Sequence, residues 1–330
     1  MELRTGWDYL STYEWMKRTG KMAPLIVSCA LNGGVQGKEA HGAIPETADE
    51  VAAAAAAACE AGASIVHIHG REPGRLWDCT GDPEVYLEIN RKVREAAPDV
   101  IVNNTTGGGF NTTQDDRLGQ LAAAPEIASL NLAPVMDRFT MPPRPAPLPH
   151  PHDGFEIDEC APATYGEVEA LAQRMLECDV KPEIEIYSPG HFWVVADLIE
   201  RDLIRPPYWF QFVMGTQTEI YPTPANLLAM IHEMPAGSQF SVVGVGKFQW
   251  PLTTMSILLG GNVRVGLEDN LNERRGVRLL DNADAVRKIA RIAGELGREI
   301  ATPEQAREML GLDAQPRRFD ALAAPAAARG

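Results

Sequence analysis

Between residues 25 and 268 the chain alternates short apolar, β-branched runs with longer helix-like segments, eight times over. The strand-like runs are 25–31, 64–69, 100–104, 128–132, 183–187, 209–214, 239–244 and 263–268. Helix-like segments at 46–61, 82–96, 113–123, 164–178, 192–202, 223–233 and 250–260 separate them. Two more follow, 282–297 and 303–311, the second opened by the helix start Thr302-Pro303-Glu304. Strands alternating with helices call for a parallel sheet, and eight strands close a barrel. Runs such as Phe240-Ser241-Val242-Val243 suit a sheet buried on both faces. The expected fold class is therefore α/β, a (β/α)8 TIM barrel. A doubly wound open sheet competes with it, but Asn32-Gly33-Gly34-Val35-Gln36-Gly37 lacks that fold's glycine spacing at the first turn.

The 330 residues read as one barrel domain over 24–311, an N-terminal arm 1–23 and a C-terminal tail 312–330. An irregular, proline-rich insertion at 134–163, carrying His150 and His152, reads as a lid or a subunit contact. A net charge of −15 argues against nucleic-acid partners, which need a cationic footprint. Five scattered cysteines form no disulfide framework, the N-terminus is no signal peptide, and no apolar run reaches membrane-spanning length. A cytoplasmic protein is expected.

Barrel chemistry collects at the C-terminal ends of strands, and here those ends are polar. In Ser64-Ile65-Val66-His67-Ile68-His69, pleat alternation turns His67 and His69 to the same side as the strand becomes loop. Two imidazoles so placed suit a divalent metal, Zn²⁺ being the usual occupant of nitrogen sites, or they are ordinary hydrogen-bonded strand-end residues. A third ligand decides between these. Arg264, Gly266 and Glu268 share a face by strand parity, with Asp269 at the edge. The second and eighth strands flank the first, so Glu268 can converge on the two histidines; the alternative is a structural ion pair with Arg264. A His₂Glu set leaves a metal position open to substrate. Asp269 either takes part in chemistry or caps the next turn. Thr105-Thr106-Gly107-Gly108-Gly109 offers hydroxyls and N–H groups to a carboxylate, or merely packs. Gly244, Gly246, Gly260 and Gly261 surround the strand 7–8 region where barrels often bind phosphates.

Several stretches fall in one order: Leu25-Ile26-Val27-Ser28-Cys29-Ala30, the His67-Ile68-His69 strand, Thr106-Gly107-Gly108, Lys181-Pro182-Glu183-Ile184-Glu185, Val243-Gly244-Val245-Gly246 and Val263-Arg264-Val265-Gly266-Leu267-Glu268-Asp269-Asn270. Together they resemble the β-keto acid cleavage enzyme family. The resemblance implies a zinc-dependent barrel, with another divalent metal as the variant, and an acyltransferase that converts a β-keto acid and acetyl-CoA into acetoacetate and a new CoA ester. It implies His67, His69 and Glu268 as metal ligands, Thr105, Gly108 and Ser129 as substrate-binding residues, and Arg264 and Asp269 around the reacting centre. Glu185 matches an acidic position of the pattern. A homotetramer is the implied assembly.

From the chemistry alone, a carboxylate such as Asp269 serves as general base, and Arg264 orients it and stabilises its ionised form. Val35 stands where the aminohexanoate-cleaving members carry a Glu that reads an amino group, so the expected substrate is not the amino-substituted acid. Two other readings use the same residues: a metal-dependent aldolase or hydrolase without CoA, and a non-catalytic barrel that binds a metal or small acid.

Overall fold

The computed structural model describes residues 21–107, 112–161 and 163–323. Residues 1–20 of the expected arm, Gly108 and residues 324–330 of the expected tail lie outside them. Eight parallel strands close a barrel: β1 (Val27–Ala30), β2 (Ile65–Ile68), β3 (Ile101–Asn104), β4 (Ile127–Asn131), β5 (Lys181–Ile186), β6 (Tyr208–Met214), β7 (Ser238–Gly244) and β8 (Asn262–Val265). Each strand pairs with its neighbours in sequence, and β8 closes on β1 through Val27↔Val263 and Ser28↔Arg264. The TIM barrel expected from the alternating pattern is the architecture observed.

Among the described residues the helices are α1 (Ala48–Glu60), α2 (Pro83–Ala96), α3 (Gln114–Gln120), α4 (Tyr165–Glu177), α5 (Phe192–Glu200), α6 (Pro224–Glu233), α7 (Gln249–Leu258), α8 (Asn282–Glu295) and α9 (Pro303–Leu310). Local chemistry starts several of them. Thr47, Thr164 and Thr302 each accept from the N3 amide while the N3 side chain, Glu50, Glu167 or Gln305, answers the cap. No helix among the described residues is long and apolar enough to cross a membrane.

Strand alternation sorts side chains between two environments. Outward residues of β1, β2, β3 and β8, such as Val27, Val66, Val102 and Val263, pack on Ala55, Ile89 and Ile289 of the surrounding helices. On the opposite side Leu130, Ile184, Phe210 and Val242 meet Leu171, Leu198, Leu227 and Leu252. Each such fully buried aliphatic side chain contributes about 1.5–3 kcal/mol. Inside the barrel, Ile26, Ile65, Ile101, Ile127 and Trp209 form a floor, sealed from below by Ala306 and Leu310 of α9. Above this apolar floor the inward residues turn polar.

Three antiparallel pairs decorate the barrel: Arg71–Glu72 with Arg75–Cys79, Val135–Met141 with Phe155–Ala161, and Asn272–Arg274 with Val277–Arg278. The insertion is therefore regular at its two ends, where 135–141 and 155–161 pair residue for residue from Val135↔Ala161 to Met141↔Phe155, and only the proline-rich connection between them is irregular. Its histidines pack structurally: His150 Nδ1 accepts from Leu76 N at 3.2 Å, and His152 stacks edgewise on Trp77.

Two further expectations need correction. The eighth strand ends at Val265, not at 268. Gly266 takes φ of 142°, and a Cβ there would lie 2.1 Å from Ala30 O, so only glycine lets the chain leave β8 this close to β1. The amides of Asp269 and Asn270 then both fold back onto Gly266 O, at 3.2 and 3.1 Å. This turn, not pleat parity, carries Glu268 inward. Gly260 and Gly261 precede β8 and lie at the other end of the barrel, where Gly261 packs against the Phe240 ring. They are no part of a phosphate site.

Candidate active site

The C-terminal ends of the strands open into a cavity of about 580 Å³ lined by residues that include His67, His69, Glu185, Arg264, Glu268 and Asp269. His67 and His69 project inward from the end of β2. Their Nε2 atoms stand 3.3 Å apart, and Glu268 Oε1 lies 3.8 Å from the first and 3.3 Å from the second. Candidate ligand atoms of all three residues fall within 4.8 Å of one another. Two imidazole nitrogens and a carboxylate oxygen this close need a shared proton or a metal ion between them. Glu268 Oε2 is also buried without a partner. The set fits a metal ion with a position left for substrate.

The charges in this corner are strongly coupled. Burial and the neighbouring Arg264 guanidinium hold His67 well below its usual range. Burial also acts against the charged form of His69, but Glu268 overrides it and lifts His69 to about 9. Burial opposes ionisation of Glu268 too, yet Arg264 and the two histidines hold its carboxyl well below the carboxylate range. A corner that so favours a positive charge on His69, and leaves His67 neutral with a free lone pair, is one into which a divalent ion can substitute.

Arg264, on β8, reaches across to the turn that follows it. Its Nε donates to Asp269 Oδ2 at 3.1 Å and its Nη2 to Asp269 Oδ1 at 2.9 Å. The same Nη2 also donates to Glu268 Oε1. Burial pushes Asp269 up to about 6, against the pull of Arg264. Glu185, on β5, receives the Tyr187 hydroxyl at 2.9 Å, and burial pushes it up to about 7.

The remaining expected residues divide. Val35 and Thr105 line the cavity. Ser129 sits behind its wall: the Ser129 hydroxyl oxygen accepts from Thr106 N at 2.8 Å, and the Thr106 hydroxyl donates to Ser129 O at 2.6 Å. Gly108 lies outside the described residues. In the strand-seven loop, Gly246 N donates to Asp269 O at 2.8 Å, which ties this loop to the Asp269 turn.

Sequence reasoning gave Asn32 no part in holding the histidines. Its Nδ2 donates to His69 O at 2.8 Å and its Oδ1 accepts from His69 N at 3.0 Å, bracketing the peptide that presents the second histidine. Arg71 in turn donates to Asn32 O at 3.0 Å and Gln36 O at 2.8 Å. The signal available was a polar residue at the end of the strand adjoining His-x-His. The hairpin 135–141/155–161, within the segment read from the sequence as a lid or a subunit contact, forms a wall of the cavity, to which it contributes Asp137, Phe139 and Glu159.

Comparison with known proteins agrees with this geometry. The sequence pattern described as beta-keto acid cleavage enzyme matches residues 24–312. The chain is 34% identical over 291 residues to 3-keto-5-aminohexanoate cleavage enzyme of Fusobacterium nucleatum, covering 88% of this chain and 99% of that protein. It is 31% identical over 300 residues to 3,5-dioxohexanoate:acetyl-CoA acetone transferase of Paraburkholderia graminis, covering 87% and 96%. Among solved structures, the binary complex of ObcA with oxaloacetate superposes with a TM-score of 0.62 at 20% identity, covering 82% of this chain and 67% of that one. At that identity the likeness concerns the fold.

Proposed function

As the chain belongs to the β-keto acid cleavage enzyme family, we propose that it is a zinc-dependent acyltransferase that turns a β-keto acid and acetyl-CoA into acetoacetate and a new CoA ester. The observation that carries this reading is the meeting of His67, His69 and Glu268 beside the Arg264–Asp269 pair in one cavity. The relative named as an acetyl-CoA acetone transferase supports the choice of co-substrate.

In this mechanism His67, His69 and Glu268 hold the ion. A bound zinc would supply Lewis acidity toward the keto oxygen. Asp269 takes a proton from the carbon between the keto and carboxylate groups, and Arg264 keeps both its oxygens aimed and its charge stabilised. That carbon attacks the acetyl thioester, a C–C bond forms and CoA leaves as thiolate. The thiolate attacks the original keto carbon, the older C–C bond breaks, and the released acetoacetate carbanion recovers the proton from Asp269. Thr105, on the cavity wall, is assigned to the substrate carboxylate together with Gly108; Ser129 supports that wall from behind through the Thr106 amide, and Glu185 with its Tyr187 hydroxyl is the second proton-handling group near the cavity.

Val35 gives its wall nothing to pair with an ammonium, which favours an acid other than the amino-substituted one. Asp137 and Glu159, on the hairpin wall, are the observation on the other side: they favour a cationic group on the substrate. The proposal extends to a homotetramer in the cytoplasm, and light scattering tests the assembly.

The experiment is an assay of purified, zinc-loaded protein with acetyl-CoA and β-keto acids bearing cationic, neutral or anionic side chains. Acetoacetate and a new CoA ester should appear together for one class. Consumption of acid without acetyl-CoA would instead favour an aldolase or hydrolase. No turnover with any class while zinc binds would leave a binding protein.

A further inference from the structure

A carboxylate is expensive to bury, and Glu183 is fully buried in the barrel without a place in the chemistry above. It projects from β5 just above the apolar floor. Its two oxygens are both engaged: Oε2 accepts from Trp209 Nε1 at 2.9 Å, and Oε1 accepts from Asn103 Nδ2 at 2.9 Å. Trp209 and Asn103 are themselves fully buried. Asn103 is the register partner of His67 across the β2–β3 pairing, and both side chains point inward. At this junction Asn103 Oδ1 and His67 Nδ1 are each buried without a hydrogen-bond partner. The Asn103 side chain lies beside the His67 ring.

The polarity of this row is dictated by its first member. An indole nitrogen only donates, so Glu183 must accept from it. Burial raises the Glu183 carboxyl, while Arg264, Asn103 and the indole favour its ionised form; so ionised it only accepts, and Asn103 must turn its NH₂ toward it. Its carbonyl oxygen is then the end left for His67, which must meet it with a proton on Nδ1. We propose that Trp209, Glu183 and Asn103 form a buried positioning chain that fixes His67 as the Nδ1–H tautomer and so presents its Nε2 lone pair to the metal.

This inference rests on the reading of His67 as a metal ligand, and it assigns to Glu183 and Asn103 a function that the ligand set alone does not include. Outer partners of ligating histidines typically set metal affinity by about ten- to hundredfold. Glu183→Gln is the informative change because it alters no volume. The indole must keep the Gln oxygen, so the Gln NH₂ faces Asn103, which flips and turns its own NH₂ toward His67. The imidazole is then driven to carry its proton on Nε2, where the metal should sit.

The test measures zinc affinity by competition with a chromophoric chelator, and the visible spectrum of the cobalt-loaded protein, for the parent, His67→Ala, Glu183→Gln, Asn103→Ala and the Glu183→Gln/Asn103→Ala double variant. Thermal unfolding of each metal-free protein accompanies them. We expect Glu183→Gln and Asn103→Ala each to weaken zinc binding by about ten- to hundredfold. The double variant should be no weaker than Asn103→Ala alone, since the Glu183 effect travels through Asn103. Loss of binding in His67→Ala with parent-like affinity in Glu183→Gln would overturn the chain while leaving the metal site standing. Unchanged affinity in His67→Ala would overturn both. A variant that fails to fold does not remove the test. ¹⁵N spectra of the zinc-loaded parent should show His67 bound through Nε2 with a proton on Nδ1, and coordination through Nδ1 would overturn the proposal.

Discussion

Arg264 grips Asp269 through two parallel hydrogen bonds, Nε to Oδ2 at 3.1 Å and Nη2 to Oδ1 at 2.9 Å, although the two residues are only five apart in a chain that has left its strand between them. The planar guanidinium fork matches both carboxylate oxygens, which a lysine cannot do. Asp269→Asn should lower kcat by about 10²–10⁴ while zinc still binds, as expected for loss of a general base. Arg264→Lys should lower kcat with less effect on KM, because charge survives but aim does not. Steady-state kinetics beside a zinc titration separates these outcomes from collapse of the site.

Gly33 lies against Glu268. It has φ of +64°, and a Cβ there would come within 2.5 Å of Glu268 Cγ. Gly33→Ala should therefore displace the carboxylate ligand, weakening zinc binding by about ten- to hundredfold. The conformational cost of a left-handed alanine adds only about 1–2 kcal/mol of destabilisation. Zinc should raise the melting temperature of the parent more than that of the variant. Equal zinc-induced shifts would show that Glu268 does not ligate.

A second ion cluster anchors the hairpin wall of the cavity. Arg144 is fully buried; its Nη1 and Nη2 each donate to Glu46 at 2.8 Å, Nη1 also to Glu39, and its Nε to Pro149 O at 2.7 Å. Arg144→Ala leaves two carboxylates buried without their cation, which should cost about 3–5 kcal/mol. Denaturant unfolding of the metal-free protein measures it. A loss under about 1 kcal/mol would mean water replaces the guanidinium at little cost.

His191 should make stability fall on the acid side. It is 8% exposed, its Nδ1 accepts from Tyr187 N at 3.3 Å, and burial lowers it from its ordinary 6.5 to about 4. Above pH 6.5 both folded and unfolded chains keep it neutral. As pH falls from 6.5 toward 4 the unfolded chain binds a proton that the folded one refuses, so stability is lost across that window, by about 3 kcal/mol in all. His191→Asn, which retains an acceptor for Tyr187 N, should flatten the curve between those limits. Parallel pH curves for the two proteins would remove this account.

Period and composition were enough to read the barrel. Each strand and helix signals its own burial: Ile65-Val66 and Phe240-Ser241-Val242-Val243 as strands buried on both faces, Thr302-Pro303-Glu304 as a helix start. Alternation along β2 was also enough to put His67 and His69 on one side. Other relationships depend on closure in three dimensions. Glu268 reaches the histidines through the Gly266 turn, a backbone path with no periodicity to read. Arg144 meets Glu46 across 98 residues, and Glu183 meets Asn103 across 80. Ser129 faces inward as alternation requires, yet its hydroxyl oxygen holds the Thr106 amide behind the cavity wall. Residue pattern reports which side of a strand is buried, because burial is decided one residue at a time. Which buried groups meet is decided by strand register and by the turns at the barrel's mouth, and those exist only once the barrel has closed.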